Sequence, residues 1–110
     1  MRGTGIATFD DGLRDAARRR TDDHAIRAGL AARPEDAITY VEAHDDQTLW
    51  DFMAERHRRS TPLAARVRSD VVALSYVALG QGTPFFHAGG ELLRSKSGDR
   101  DSYDSGDWFN

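Results

Sequence analysis

The chain contains no cysteine, a single lysine and only three prolines in 110 residues, and its 15 basic and 18 acidic residues leave a formal charge of −3. The missing thiols exclude disulfides and thiolate-bound metals and leave the redox compartment open. So balanced a charge supplies no field that would steer nucleic acid or an anionic membrane, and neither is expected as a partner. No apolar run approaches the roughly 20 residues of a membrane span. The start Met1-Arg2-Gly3-Thr4-Gly5 lacks the apolar core of a signal peptide, which leaves the localisation open.

What is present alternates between strand-like and helix-like segments, the pattern of an α/β architecture. Ile6-Ala7-Thr8-Phe9 reads as a short strand, after which Asp10 or Asp11 caps a helix with Leu13, Ala16 and Ala17 on one face. The run Arg18-Arg19-Arg20 suits the negative end of that helix and is read as a solvated helix end. Residues 21–36 are a polar connection with one short helical segment and a turn at Pro34; His24 is read there as an exposed polar residue. Thr61 followed by Pro62 opens the clearest helix, with Leu63, Val67, Val71, Leu74 and Ala78 as its apolar face and Gly80 as its end. Residues 83–89 then read as a final buried strand that carries His87.

The segment richest in chemistry is residues 40–51. Ile38, Tyr40 and Ala43 nearly alternate with polar Thr39 and Glu42, which predicts a strand ending at the adjacent pair His44-Asp45. Directly after the pair, Thr48 with Asp51 three residues on predicts a capped helix carrying Leu49, Phe52, Met53 and Arg56, with Trp50 near its start. His57, Arg58 and Arg59 read as its solvated end. By composition the tail, residues 100–108, which mixes arginine, carboxylates and an aromatic ring, reads as a polar surface segment. It lacks the ligand spacing of a calcium-binding helix–loop–helix, so no metal site is expected in it.

Four runs together carry a resemblance: Gly5 to Ala16, Tyr40 to Asp51, Gly80 to Gly89, and Glu91 to Asn110 with its Leu92-Leu93-Arg94-Ser95-Lys96-Ser97. In this order they resemble the last part of the catalytic barrel of pullulanase-type α-1,6-glucosidases, starch debranching enzymes of the α-amylase superfamily in glycoside hydrolase family 13. The resemblance implies a fold, the last three strand–helix units of a (β/α)8 TIM barrel, so that residues 1–110 make up one incomplete domain. A complete barrel needs roughly 250 residues. Left open in this way, the chain is expected to fold poorly in isolation.

The resemblance also implies roles. Asp45 becomes the transition-state stabiliser and His44 a donor to sugar hydroxyls, with Asp46, Arg94, Arg100, Asp101, Asp104 and Trp108 lining the substrate path. The family commonly has Asn where this chain has Asp46. The substrate implied is a branched α-glucan cleaved at α-1,6 linkages, as in pullulan, amylopectin or limit dextrins. No cofactor is required, though a structural calcium in the complete protein is compatible with the resemblance. The attacking aspartate and the proton-donating glutamate of the family belong to earlier strands, so the chain by itself is expected to be inactive. Two other readings stand beside this one. A non-catalytic carbohydrate-binding remnant is compatible with the missing acids, and a metal-dependent His-Asp phosphohydrolase with His24 and His44-Asp45.

Overall fold

The computed structural model describes residues 6–19 and 23–109; residues 1–5, 20–22 and 110 of the segments above lie outside them. The elements run β1 (Thr8–Phe9), α1 (Asp11–Arg19), α2 (Asp23–Leu30), β2 (Ala37–Thr39), α3 (Leu49–Arg56), α4 (Leu63–Leu79) and β3 (Thr83–Pro84). The strands form one parallel sheet in the order β1-β2-β3, with Thr8 opposite Ala37 and Ile38 opposite Thr83. The chain divides into two compact units, one running up to Val41 and joined by Val72–Phe86, the other Glu42–Val71 with the residues from His87 onward.

This overturns the expected fold. In place of the last three strand–helix units of a barrel, the described residues form a sheet of three strands, two or three residues each, with four helices. A pair of helices follows each of β1 and β2, and β3 is followed by 3-10 turns at Gly90–Leu92 and Asp107–Phe109. The strands are shorter than their apolar patterns suggest because side chains capture the main chain. β2 stops at Thr39, since the carbonyl of Val41 accepts from Arg18 Nε at 2.6 Å instead of from a neighbouring strand. Arg18 is thus buried and is not the solvated helix end that its sequence neighbours suggested. At β3, Pro84 has no N–H to offer and sits on an edge; the expected buried strand is reduced to two exposed residues, with Phe85 donating to Thr39 O at 2.9 Å.

The first unit has most of the buried apolar residues, with Leu49 and Met53 buried in the second. Leu13, Ala16 and Ala17 of α1 and Ile26 of α2 are buried with Ala37, Tyr40, Val41, Ala73 and Val77. The two helices approach so closely that a Cβ on Gly29 would lie 2.6 Å from Leu13 Cβ, so α2 needs glycine there. Asp10 caps α1 by accepting from Leu13 N at 2.9 Å, as its position predicts. Tyr40 closes the end of this core: its ring stacks edge-on against Phe9 at 4.9 Å, its hydroxyl accepts from Arg14 at 2.7 Å, and that hydroxyl donates to Asp11.

The buried face of α4 also differs from expectation. Leu63 and Val71 of the expected stripe are 63% and 53% exposed, whereas Ser69, Asp70, Ala73 and Val77 are buried. The helix carries apolar residues on several sides, so periodicity alone does not single out a face, and the chosen one includes a carboxylate.

Candidate functional site

His44, Asp45 and Asp46 form a bend in the second unit that begins five residues beyond the last residue of β2 rather than at a strand end. The bend is fixed from below by the start of α3. Glu42, buried, accepts from Leu49 N at 2.6 Å, and Thr48, the N-cap, accepts from Asp51 N at 3.2 Å. Both place oxygen acceptors at the positive end of the helix, where they stabilise it. Gly90 closes over Glu42 so tightly that a Cβ would sit 1.9 Å from Oε1. Asp46 adopts φ 57, the left-handed region that Asp and Asn enter more readily than other side chains.

With the main chain held, the His44 and Asp45 side chains stand outward, 88% and 77% exposed, with His44 Nε2 3.1 Å from Asp45 Oδ1. A carboxylate and an imidazole presented together offer an acceptor and a donor to adjacent hydroxyls, and a negative charge to a developing cation.

Beneath the pair lies a buried polar network. Asp51 accepts from Ser95 Oγ at 2.6 Å and from Lys96 N at 2.7 Å. Burial alone would raise the Asp51 carboxyl, but the hydrogen bonds from Ser95, from the Lys96 and Gly98 main chain and from Thr48 outweigh it and hold the group below the usual carboxylate range. Lys96, 1% exposed, donates from Nζ to His44 O and to Ser102 Oγ, both at 3.0 Å. Gln47 reaches Glu55 at 2.5 Å, and Glu55 pairs in turn with Arg100 at 3.3 Å. The bend and the tail are thus tied to one helix.

A second buried cluster is less satisfied. Neither oxygen of Asp70 has a hydrogen-bond partner, nor does Oε1 of Glu42. Burial, with the Glu42 carboxylate adding to it and Arg66 opposing it, pushes the Asp70 carboxyl up to about 7. His87 lies 3.4 Å from Arg94 Nη1, and burial followed by that cation holds its imidazole below the usual range. Arg66 also covers the ring of Trp50 at 4.5 Å, a packing role for that tryptophan. Nε2 of half-buried His57 has no partner, so His57 is not the solvated end expected of it.

Of the residues nominated from the sequence, the structure joins His44 to Asp45, and Arg100 through Glu55 to Gln47. Arg94 is directed to His87. Asp101 and Asp104 lie in successive turns, where Asp101 N donates to Asp99 at 2.7 Å and Asp104 N to Asp101 O at 2.9 Å, and Trp108 is 89% exposed. His24 is exposed on α2. Sequence reasoning missed Asp51, Lys96 and Asp70 as structural centres. For Lys96 one signal was available: it is the only lysine in a chain that otherwise uses arginine. Among the described residues, no group of three or more His, Asp and Glu side chains could hold a metal ion, and no helix is long and apolar enough to cross a membrane.

No protein-family model matches the chain. In sequence it is 52% identical over 89 residues to the pullulanase of Klebsiella pneumoniae, a match covering 81% of this chain and 8% of that protein. It is 52% identical over 86 residues to the chloroplastic pullulanase 1 of Arabidopsis thaliana, covering 78% of this chain and 9% of that protein. In structure it is similar to the Klebsiella pneumoniae pullulanase complexed with maltotriose, with a TM-score of 0.86 and 32% identity over 97% of this chain and 16% of that one. The pullulanase of Bacillus acidopullulyticus gives a TM-score of 0.85 at 31% identity, covering 98% of this chain and 16% of that one. These sequence relatives and structural neighbours are pullulanases, and the chain spans less than a tenth of the length of the first curated relatives it matches.

Proposed function

We propose that the chain is a C-terminal portion of the catalytic domain of a pullulanase-type α-1,6-glucosidase of glycoside hydrolase family 13, and that it carries one side of the site that cleaves branch linkages in pullulan, amylopectin or limit dextrins. The observation that carries the reading is the outward His44-Asp45 pair on a fixed bend, in a chain similar over 97% of its length to a pullulanase complexed with maltotriose.

In this reading the Asp45 carboxylate binds sugar hydroxyls and favours the positive charge that develops on the ring as the glycosidic bond breaks. His44 donates to a neighbouring hydroxyl. Asp46, Arg94, Arg100, Asp101, Asp104 and Trp108 extend the contact along the glucan. Retention of configuration also requires a nucleophile and a general acid on opposite sides of the bond. Resemblance places both in strands preceding the matched residues. Glu42 is no substitute, because it is buried and committed to Leu49 N. The chain alone therefore binds without turning over.

The test is a titration with maltotriose followed by amide NMR. Exposed groups acting on one side of a sugar support an affinity in about the millimolar range, with saturable shifts at His44, Asp45 and Asp46. Asp45→Asn should weaken binding about tenfold or more. Shifts confined to other residues, or an unchanged affinity in the variant, would sink the reading.

A further inference from the structure

We propose that Lys96 is a positioning residue that sets the His44-Asp45 pair for its ligand. This role rests on the glucan reading of that pair. The chain uses arginine at fourteen of its fifteen basic positions, and the exception is 1% exposed. A compact ammonium with three donors fits a closed space between a main-chain carbonyl and a hydroxyl, which a planar guanidinium does not. Nζ lies 3.0 Å from each of His44 O and Ser102 Oγ. It therefore touches the main chain of one member of the pair and the residue next to Asp101 in the tail.

The other end of Lys96 is anchored as firmly. Its N–H donates to Asp51 at 2.7 Å, and Asp51 N is itself capped by Thr48 at the start of α3. One side chain thus transmits the rigidity of a helix end to the carbonyl of His44, while the His44 and Asp45 side chains remain outside. Preorganisation of this kind matters because a group misplaced by about 1 Å can lose about a hundredfold of its effect. Glu42 and Thr48 fix where the bend rejoins α3, Gln47 reaches Glu55, and Lys96 holds the carbonyl of His44.

Lys96→Met keeps the length of the stem and removes the donors. In the wild-type chain, amide order parameters at His44, Asp45 and Asp46 should be close to about 0.85, and in the variant they should fall below about 0.6, while those of Leu49–Arg56 stay high. Maltotriose affinity should fall about tenfold. Ser102→Ala, which removes one acceptor and leaves the His44 contact, is the milder control and should retain an ordered bend. A bend as rigid in Lys96→Met as in wild type would overturn the proposal. So would equal loss of order at α3 in both variants, which would make Lys96 a general staple. If the bend loosens as expected but wild type binds no maltotriose, the glucan reading fails, and the positioning role with it, in a way distinguishable from an unresponsive bend.

Discussion

Asp70→Asn is expected to stabilise the chain at pH 8 and to abolish most of its loss of stability between pH 4 and 7. Asp70 is 1% exposed, has no hydrogen-bond partner for either oxygen, and lies near enough to Glu42 to feel its charge. Its carboxyl is pushed from 3.8 to about 7. A carboxyl raised in the folded state holds its proton there longer than in the unfolded chain. The associated stability is complete below pH 3.8 and is lost as pH rises through about 7. The full span amounts to on the order of 4 kcal/mol. Asparagine carries no charge to desolvate. Urea midpoints followed by circular dichroism at several pH values decide the matter. A variant less stable than wild type at pH 8, or a wild type indifferent to pH between 4 and 7, would contradict this account of the cluster.

The opposite behaviour is expected of Asp51, also buried but richly partnered. Asp51→Ala removes the acceptor of Ser95 Oγ and Lys96 N and leaves that main-chain N–H buried without a partner. Hydrogen bonds to a charged group contribute about 1.5–3 kcal/mol each, and an orphaned buried donor adds a further penalty, so the variant should lose about 3–5 kcal/mol. Because the Asp51 carboxyl is held below its ordinary value, its contribution is present above that value and fades as pH falls through the folded one. The Asp51→Ala deficit, measured by the same urea midpoints, should therefore shrink toward strongly acid pH. A deficit below about 1 kcal/mol at neutral pH would mean that the network under His44 does not hold the second unit together.

These two carboxylates mark the boundary of what the sequence discloses. Local signals were legible: Asp10 and Thr48 cap their helices, α2 and the turn at Pro34 occur where the polar connection allowed them, and the strands pair in parallel. The resemblance to pullulanases was legible in the four runs that carry it. The non-local outcomes were not legible. Sheet closure depends on strand partners and not on any one strand, and side chains such as Arg18 ended β2 by taking the Val41 carbonyl. Apolar patterning put Leu63 and Val71 on the buried face of α4, where both are exposed, and it gave no sign that Asp70 is buried. Lys96 and Asp51 escaped for the same reason: a buried charge is legible only through its partners, and the contacts of Asp51 with Ser95 and Lys96 and of Lys96 with His44 span 44 to 52 residues of the chain.

The claim on which the functional account turns is that this chain supplies one side of a two-sided catalytic site. Loss of a positioned general acid alone lowers a rate by about 10²- to 10⁴-fold, and here the nucleophile is expected to be missing as well. The most direct measurement is the release of reducing ends from pullulan by the purified chain. The account expects no release above buffer; sustained release, abolished by Asp45→Asn, would show that the chain contains a complete catalytic site and would contradict it.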